Sequence, residues 1–273
     1  MMRAVRTLLA GAGLGLLCVA LFGAPAQAAT PAPPYGAFAG CPSPAEDPEV
    51  EACFTSVITG GHFKMGNKTV PIENPISFSG GFGPSLKVSY NSKGGLAKVR
   101  QKVPGGVVGL TGLTWLLEFL GSDALTLYAT TELAGTATAP VEPPIQLPVK
   151  VHLENAVLGS KCYVGSNSNP IMLNLQVEPT SPPPPNKPIS GKYPTITEDP
   201  TRPHVALANG AVFVDNSFAA PGASGCVLTL FGFIPVSING LVNSASGLPA
   251  AAGTNETVQD VDAALVESRF VYP

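Results

Sequence analysis

Leu96-Ala97-Lys98-Val99-Arg100-Gln101-Lys102-Val103 decides the fold class. Ala97, Val99, Gln101 and Val103 fall on one side of an extended chain; Lys98, Arg100 and Lys102 fall on the other. A period of two with charge on one side describes a half-buried β-strand. Residues 86–90 (LKVSY) are expected to pair with it through Lys93-Gly94-Gly95, and Lys87 and Lys93 extend its basic strip. The strip has two readings. It is a small cationic groove for an anionic polymer such as a cell-wall glycopolymer, or an edge strand whose lysines oppose strand-to-strand aggregation. The second is the commoner device.

The same β signal recurs on both sides of this stretch. Residues 54–58 and 62–65 flank Gly60-Gly61 and read as a hairpin. Gly66-Asn67 marks a further turn before 69–72, and 79–84 reads as a Gly-rich loop. Strand-like runs follow at 124–131, 145–153, 161–164, 171–177, 205–214, 226–233 and 236–242. Pro148 suggests an edge or a bulge within its run. The apolar stretch 107–120, which holds Trp115, reads as a short buried helix or an apolar loop; if exposed it would be a contact surface. Ser181-Pro182-Pro183-Pro184-Pro185 favours polyproline II, so 181–203 reads as a stiff crossover and surface loop. Val258, Val261, Ala264 and Leu265 recur at helical spacing behind a Thr257/Asp260 cap, which predicts a late helix; 269–272 reads as a closing strand. Many short strands between Gly/Pro turns predict an all-β fold. The expected form is an antiparallel β-sandwich or barrel-like fold with one or two short helices. Residues 41–273 form the expected β domain, with the loop 179–203 as the place where it would divide into two subdomains.

The first 28 of the 273 residues carry an address. Arg3 and Arg6 precede an apolar run over 8–22, and Ala26-Gln27-Ala28 supplies a small-x-small cleavage site, the order of a secretory signal peptide. Leu17 before Cys18 argues against a lipidated cysteine. The run is also shorter than the roughly 20 residues of a spanning helix. Residues 29–40, rich in Ala and Pro, read as a flexible lead-in. Cleavage after Ala28 removes two of 15 basic residues and none of 18 acidic ones, leaving 13 against 18, a net charge of −5. That balance gives no reason to expect nucleic acid as a partner. Cys41, Cys53, Cys162 and Cys226 remain, an even number in an exported chain, and predict two disulfides. Of the three connectivities, Cys41–Cys53 with Cys162–Cys226 is favoured, because the first pair closes a short Pro-containing loop; sequence alone does not choose.

Motifs for catalysis are missing. Gly222-Ala223-Ser224-Gly225 has the wrong spacing for a nucleophile elbow. His62, His152 and His204 are scattered, no cysteine has a histidine at zinc-ligand spacing, and Gly80-Gly81-Phe82-Gly83 lacks the Lys-Ser/Thr of a phosphate loop. No catalytic, metal or cofactor residue is assigned. Asn67-Lys68-Thr69 and Asn255-Glu256-Thr257 would accept glycans only in a eukaryotic secretory pathway.

Several strings carry a resemblance: His152-Leu153-Glu154-Asn155, Gly159-Ser160-Lys161-Cys162-Tyr163-Val164-Gly165-Ser166, SPPPPNKPISG over 181–191, VDNSFAAPGASGC over 214–226, and TGGHFKMGNKT over 59–69. Together they resemble a group of exported actinobacterial proteins with no established function. The likeness spans most of the chain beyond residue 28 and is most specific at the two cysteine-containing strings. It implies secretion and a Gram-positive, high-GC source, and it transfers no active site, cofactor or substrate. The expected product is a secreted or cell-wall-associated β-sandwich that binds an envelope component, such as a cell-wall polymer or another envelope protein, or serves as one. The alternatives are a secreted hydrolase with an unrecognised site and an outer-envelope lipid- or pore-associated protein.

Overall fold

The computed structural model describes residues 29–112, 125–141, 143–155, 158–230 and 234–273. The signal-peptide reading, Trp115 and the end of the 226–233 strand lie outside them. The fold is all-β, with antiparallel sheets packed face to face.

Fifteen strands are present among the described residues: β1 (Ala52–Met65), β2 (Lys68–Pro71), β3 (Ile76–Phe82), β4 (Gly95–Leu96), β5 (Arg100–Lys102), β6 (Tyr128–Leu133), β7 (Ile145–Glu154), β8 (Tyr163–Val164), β9 (Ile171–Leu175), β10 (Thr195–Glu198), β11 (Ala206–Asp215), β12 (Ala223–Ser224), β13 (Val227–Leu230), β14 (Ile234–Ser237) and β15 (Glu256–Glu267). The first sheet runs β10-β11-β15-β1-β3-β4, with β2 added on β1. The second runs β12-β8-β7-β6-β5, with β9 on β7. A separate hairpin joins β13 and β14. Short helices cover Gly106–Thr111, Asn239–Ser246 and Ser268–Val271.

The main core lies between the two sheets. Phe54, Ile58, Phe78 and Val261 of the first sheet face Val149, Val151, Leu153, Ile171 and Leu173 of the second. β9 shows why: its residues alternate strictly between buried and exposed, as its sequence predicts. A second, smaller cluster lies apart from it, where Tyr35, Phe38, Cys41, Val50 and Val205 pack with Cys53, Ala264, Val266 and Val271. Residues 29–40 are therefore no loose lead-in throughout. Phe38 is fully buried, and the Tyr35 hydroxyl donates to the Pro203 carbonyl.

Several expected elements take other forms. No hairpin forms at Gly60-Gly61; β1 runs through it with a bulge between Ile58 and Gly60. β1 pairs with β3 up to Ile58 and with β2 from His62, so the glycines mark an exchange of partners and not a reversal. Gly61 has φ +102, and a side chain there would collide with the Val258 carbonyl. The Gly-rich 79–84 segment is mostly strand. Its Gly81 lies directly beneath the Cys41 sulfur, where a Cβ has no room. Residues 86–90 bridge to Gly81 and Thr138, while β4 pairs with β3. Pro148 sits within β7, a central strand, and not at the expected edge or bulge; its carbonyl accepts from the Ala134 N–H at 2.9 Å and it stands opposite Met172 of β9.

The expected late helix is β15. Its apolar residues serve two cores at once: Val261 and Leu265 face the sandwich, Ala264 and Val266 the smaller cluster. Burial on both faces mimics a helical stripe. The Thr257 hydroxyl donates to the His62 carbonyl across the sheet, and does not cap a helix. The expected strand at 236–242 stops at Ser237, and a helix begins at Asn239, whose side chain accepts from the Cys226 N–H. The closing strand at 269–272 is a helical turn, held because the Ser268 hydroxyl donates to the Val50 carbonyl.

Candidate functional site

The four predicted cysteines form two bridges, Cys41–Cys53 and Cys162–Cys226, with Cα separations of 5.4 and 4.1 Å. The first fastens the lead-in to β1; the second ties the start of β8 to the start of β13. Both pairs are fully buried and structural. The three histidines stay apart. His62 meets Glu256 at 3.0 Å on β1 and β15, and His204 stacks on Phe270 at 4.1 Å. His152 lies in the second sheet. Among the described residues, no group of three or more His, Cys, Asp or Glu side chains could hold a metal ion.

The polar chemistry gathers on the face of the second sheet turned away from the main core. β5, β6, β7 and β8 place Arg100 opposite Thr130, Thr130 opposite His152, and His152 opposite Tyr163. Lys150 stands opposite Glu132, and Tyr128 opposite Glu154. Cross-strand neighbours lie about 4.5–5.5 Å apart at Cβ, so these side chains meet.

Glu154 is the hub. Arg100 donates through Nε at 2.9 Å, and through Nη2, to its Oε2, while the Thr130 hydroxyl donates to its Oε1. The Arg100 guanidinium lies 5.8 Å above the Tyr128 ring. Partial burial pushes the Glu154 carboxyl up. The Thr130 and Arg100 hydrogen bonds and the Arg100 charge outweigh it and hold the carboxyl below its ordinary range. His152 stacks flat on Tyr163 at 4.3 Å, with Nε2 3.1 Å from the Ser160 carbonyl and Nδ1 3.8 Å from Glu154. Beside this group Glu132 lies between Lys98 at 3.3 Å and Lys150 at 3.7 Å. Lys150 in turn covers the Tyr163 ring and donates to Asn167.

The expected basic strip is therefore matched by acids at Lys98 and Arg100. β5 is the last strand of its sheet, the edge position that Arg100 and Lys102 suit. Beside Glu154 opens a cleft of about 540 Å³, lined by Arg100, Tyr128, His152, Glu154, Asn155 and Ser160 among others. Sequence reasoning singles out no catalytic or binding residue at this place. The signal is nevertheless present as alternation: Lys150, His152 and Glu154 share one face of β7, and Tyr128, Thr130 and Glu132 one face of β6. What the chain alone withholds is that these two rows are adjacent. Comparison with family models, with curated proteins and with solved structures finds no match to this chain.

Proposed function

We propose that this protein is an exported β-sandwich that binds a polyhydroxylated polymer of the cell envelope through the Glu154 cleft. The carrying observation is the cleft itself. It sets an aromatic face (Tyr128) beside a paired guanidinium and carboxylate (Arg100 and Glu154) on a rigid sheet. Sugars present apolar C–H faces and vicinal hydroxyls. An aromatic ring stacks on the first, and a fixed carboxylate and guanidinium accept from and donate to the second. Two buried disulfides suit an oxidising compartment. No helix among the described residues is long and apolar enough to cross a membrane.

Co-sedimentation with insoluble cell-wall polysaccharide tests the reading. Wild-type protein should pellet with the polymer, and Tyr128→Ala should weaken binding about tenfold with the fold intact. Equal pelleting of wild type and Tyr128→Ala, or none by wild type, defeats it. Release of sugar from the polymer that disappears in Glu154→Gln would replace it with the hydrolase reading.

A further inference from the structure

β10 is the open edge of the first sheet, and it adds nothing to either core: every residue in it is exposed. Ile196, and Tyr193 just before the strand, are 63% and 61% exposed, the most of any large apolar side chain among the described residues. Edge strands are commonly blunted by charge, as β5 is by Arg100 and Lys102. β10 reads Thr195-Ile196-Thr197-Glu198, with a single charge at its end.

The direction of its backbone groups follows from its pairing. Thr195 stands opposite Asn209 of β11, and Glu198 opposite Ala206. β11 bulges between Ala208 and Ala211, where the Gly210 N–H goes to the Asp262 carboxylate and not to a strand. On one side of the bulge Lys192 and Val212 exchange both backbone bonds; on the other the Asp199 N–H donates to the Val205 carbonyl at 2.9 Å, in the opposite phase that a bulge produces. Alternate residues of an antiparallel strand bond to the same neighbour, so Thr195 and Thr197 turn inward with Asp199. Ile196 and Glu198 therefore turn their N–H and C=O groups out of the sheet edge, together with the Pro194 carbonyl. Among the described residues no loop bonds to these groups.

We propose that β10 pairs antiparallel with β10 of a second copy of this chain, across a two-fold axis at Ile196, so that two first sheets join into one. A two-fold contact sets one strand against its own reversed order. Thr195-Ile196-Thr197 reads the same from either end. Ile196 then meets its own copy and exchanges both outward backbone bonds with it. Thr195 falls opposite Thr197 of the second copy, a cross-strand pair that favours sheets. Each Glu198 N–H reaches the Pro194 carbonyl of the other copy, and Pro194 is asked for no N–H. Glu198 thus faces proline and Asp199 faces Tyr193, so no like charges are set against each other. The contact is one strand wide, which makes the dimer a weak and reversible one. It uses the first sheet and does not depend on the Glu154 cleft in the second.

Sedimentation velocity from about 5 to 500 µM should show wild-type protein passing from monomer toward dimer. Ile196→Lys removes an apolar side chain from each copy and sets two ammonium groups at the axis. It should weaken association about thirtyfold or more, with Tm unchanged because the position is exposed. Cysteine substitution reads the register and needs no strong dimer. Cys41, Cys53, Cys162 and Cys226 are bridged, so an introduced thiol is the free one within residues 29–273. Ile196→Cys brings two thiols onto Cα atoms about 5.5 Å apart, within disulfide reach, and should form a covalent dimer with diamide. Thr195→Cys lies about 8 Å from its own copy and should not crosslink alone. Mixed with Thr197→Cys it should crosslink to that variant. Wild-type protein that stays monomeric throughout, a folded Ile196→Lys that associates like wild type, or Thr195→Cys that crosslinks alone as fast as Ile196→Cys would overturn the proposal.

Discussion

Glu154 receives hydrogen bonds from a guanidinium and a hydroxyl, and both favour its ionised form. Because its folded carboxyl lies below the ordinary 4.5, the pairing contributes in full above that pH and fades as pH falls through the folded value. Glu154→Gln is expected to lower Tm by about 2–4 °C near neutrality, in line with ~1 kcal/mol for a well-formed ion pair, with the gap to wild type closing as pH falls below the ordinary carboxylate range. Calorimetric scans from pH 3 to 8 check both the size and the direction. Asn255 makes a stronger case. It is fully buried, accepts from the Gly66 N–H and donates to the carbonyls of Phe218 and Ala251. Asn255→Ala leaves those groups unpaired and should destabilise by about 2–4 kcal/mol in urea unfolding. The same burial means that this acceptor sequence cannot carry a glycan in the native state, whereas exposed Asn67 can. Expression in a yeast secretory host, read by peptide mass spectrometry, should find folded protein modified at Asn67 alone.

Among the elements, β1 bends where it changes partners. Gly61→Ala puts a methyl against the Val258 carbonyl at a positive φ, so it should cost about 2 kcal/mol or more, visible as a lower urea midpoint. Strands covered on one face are legible in the sequence, because a single core stamps a period of two on them; β9 and the 100–103 stretch are the clear cases. β15 is not, since two cores on its two faces overprint each other. The β3 glycines are opaque for a different reason. Their meaning lies in neighbours outside the strand: Gly81 lies against Val50 and the Cys41 sulfur, and Gly80 against the Ser89 carbonyl. The candidate site is half legible in the same way. Each strand announces its polar row, but the meeting of Arg100, Thr130, His152 and Tyr163 is a property of register, which only pairing settles.

Across the whole molecule, the two disulfides constrain very different lengths of chain: their partners stand 12 and 64 residues apart. In the chain-entropy picture they contribute about 2.8 and about 4.3 kcal/mol. Replacing Cys162 and Cys226 together by serine should therefore lower stability about 1.5 kcal/mol more than replacing Cys41 and Cys53 together, measured in guanidinium chloride. The presence of two bridges is legible from the even cysteine count, and loop length only favours their pairing; the role of the first bridge in seating residues 29–40 is not legible, because their burial depends on β15 and the final helix being in place. That dependence reaches further. β1, an early strand, has β15, a late one, as its neighbour along nearly its whole length. A growing chain thus cannot complete its first sheet until residue 267 is available, so β1 must wait, exposed and adhesive, until the whole stretch up to β15 has been made. The sheet then closes at the slow pace of long-range strand pairing, and a holding chaperone has its natural target in residues 52–65.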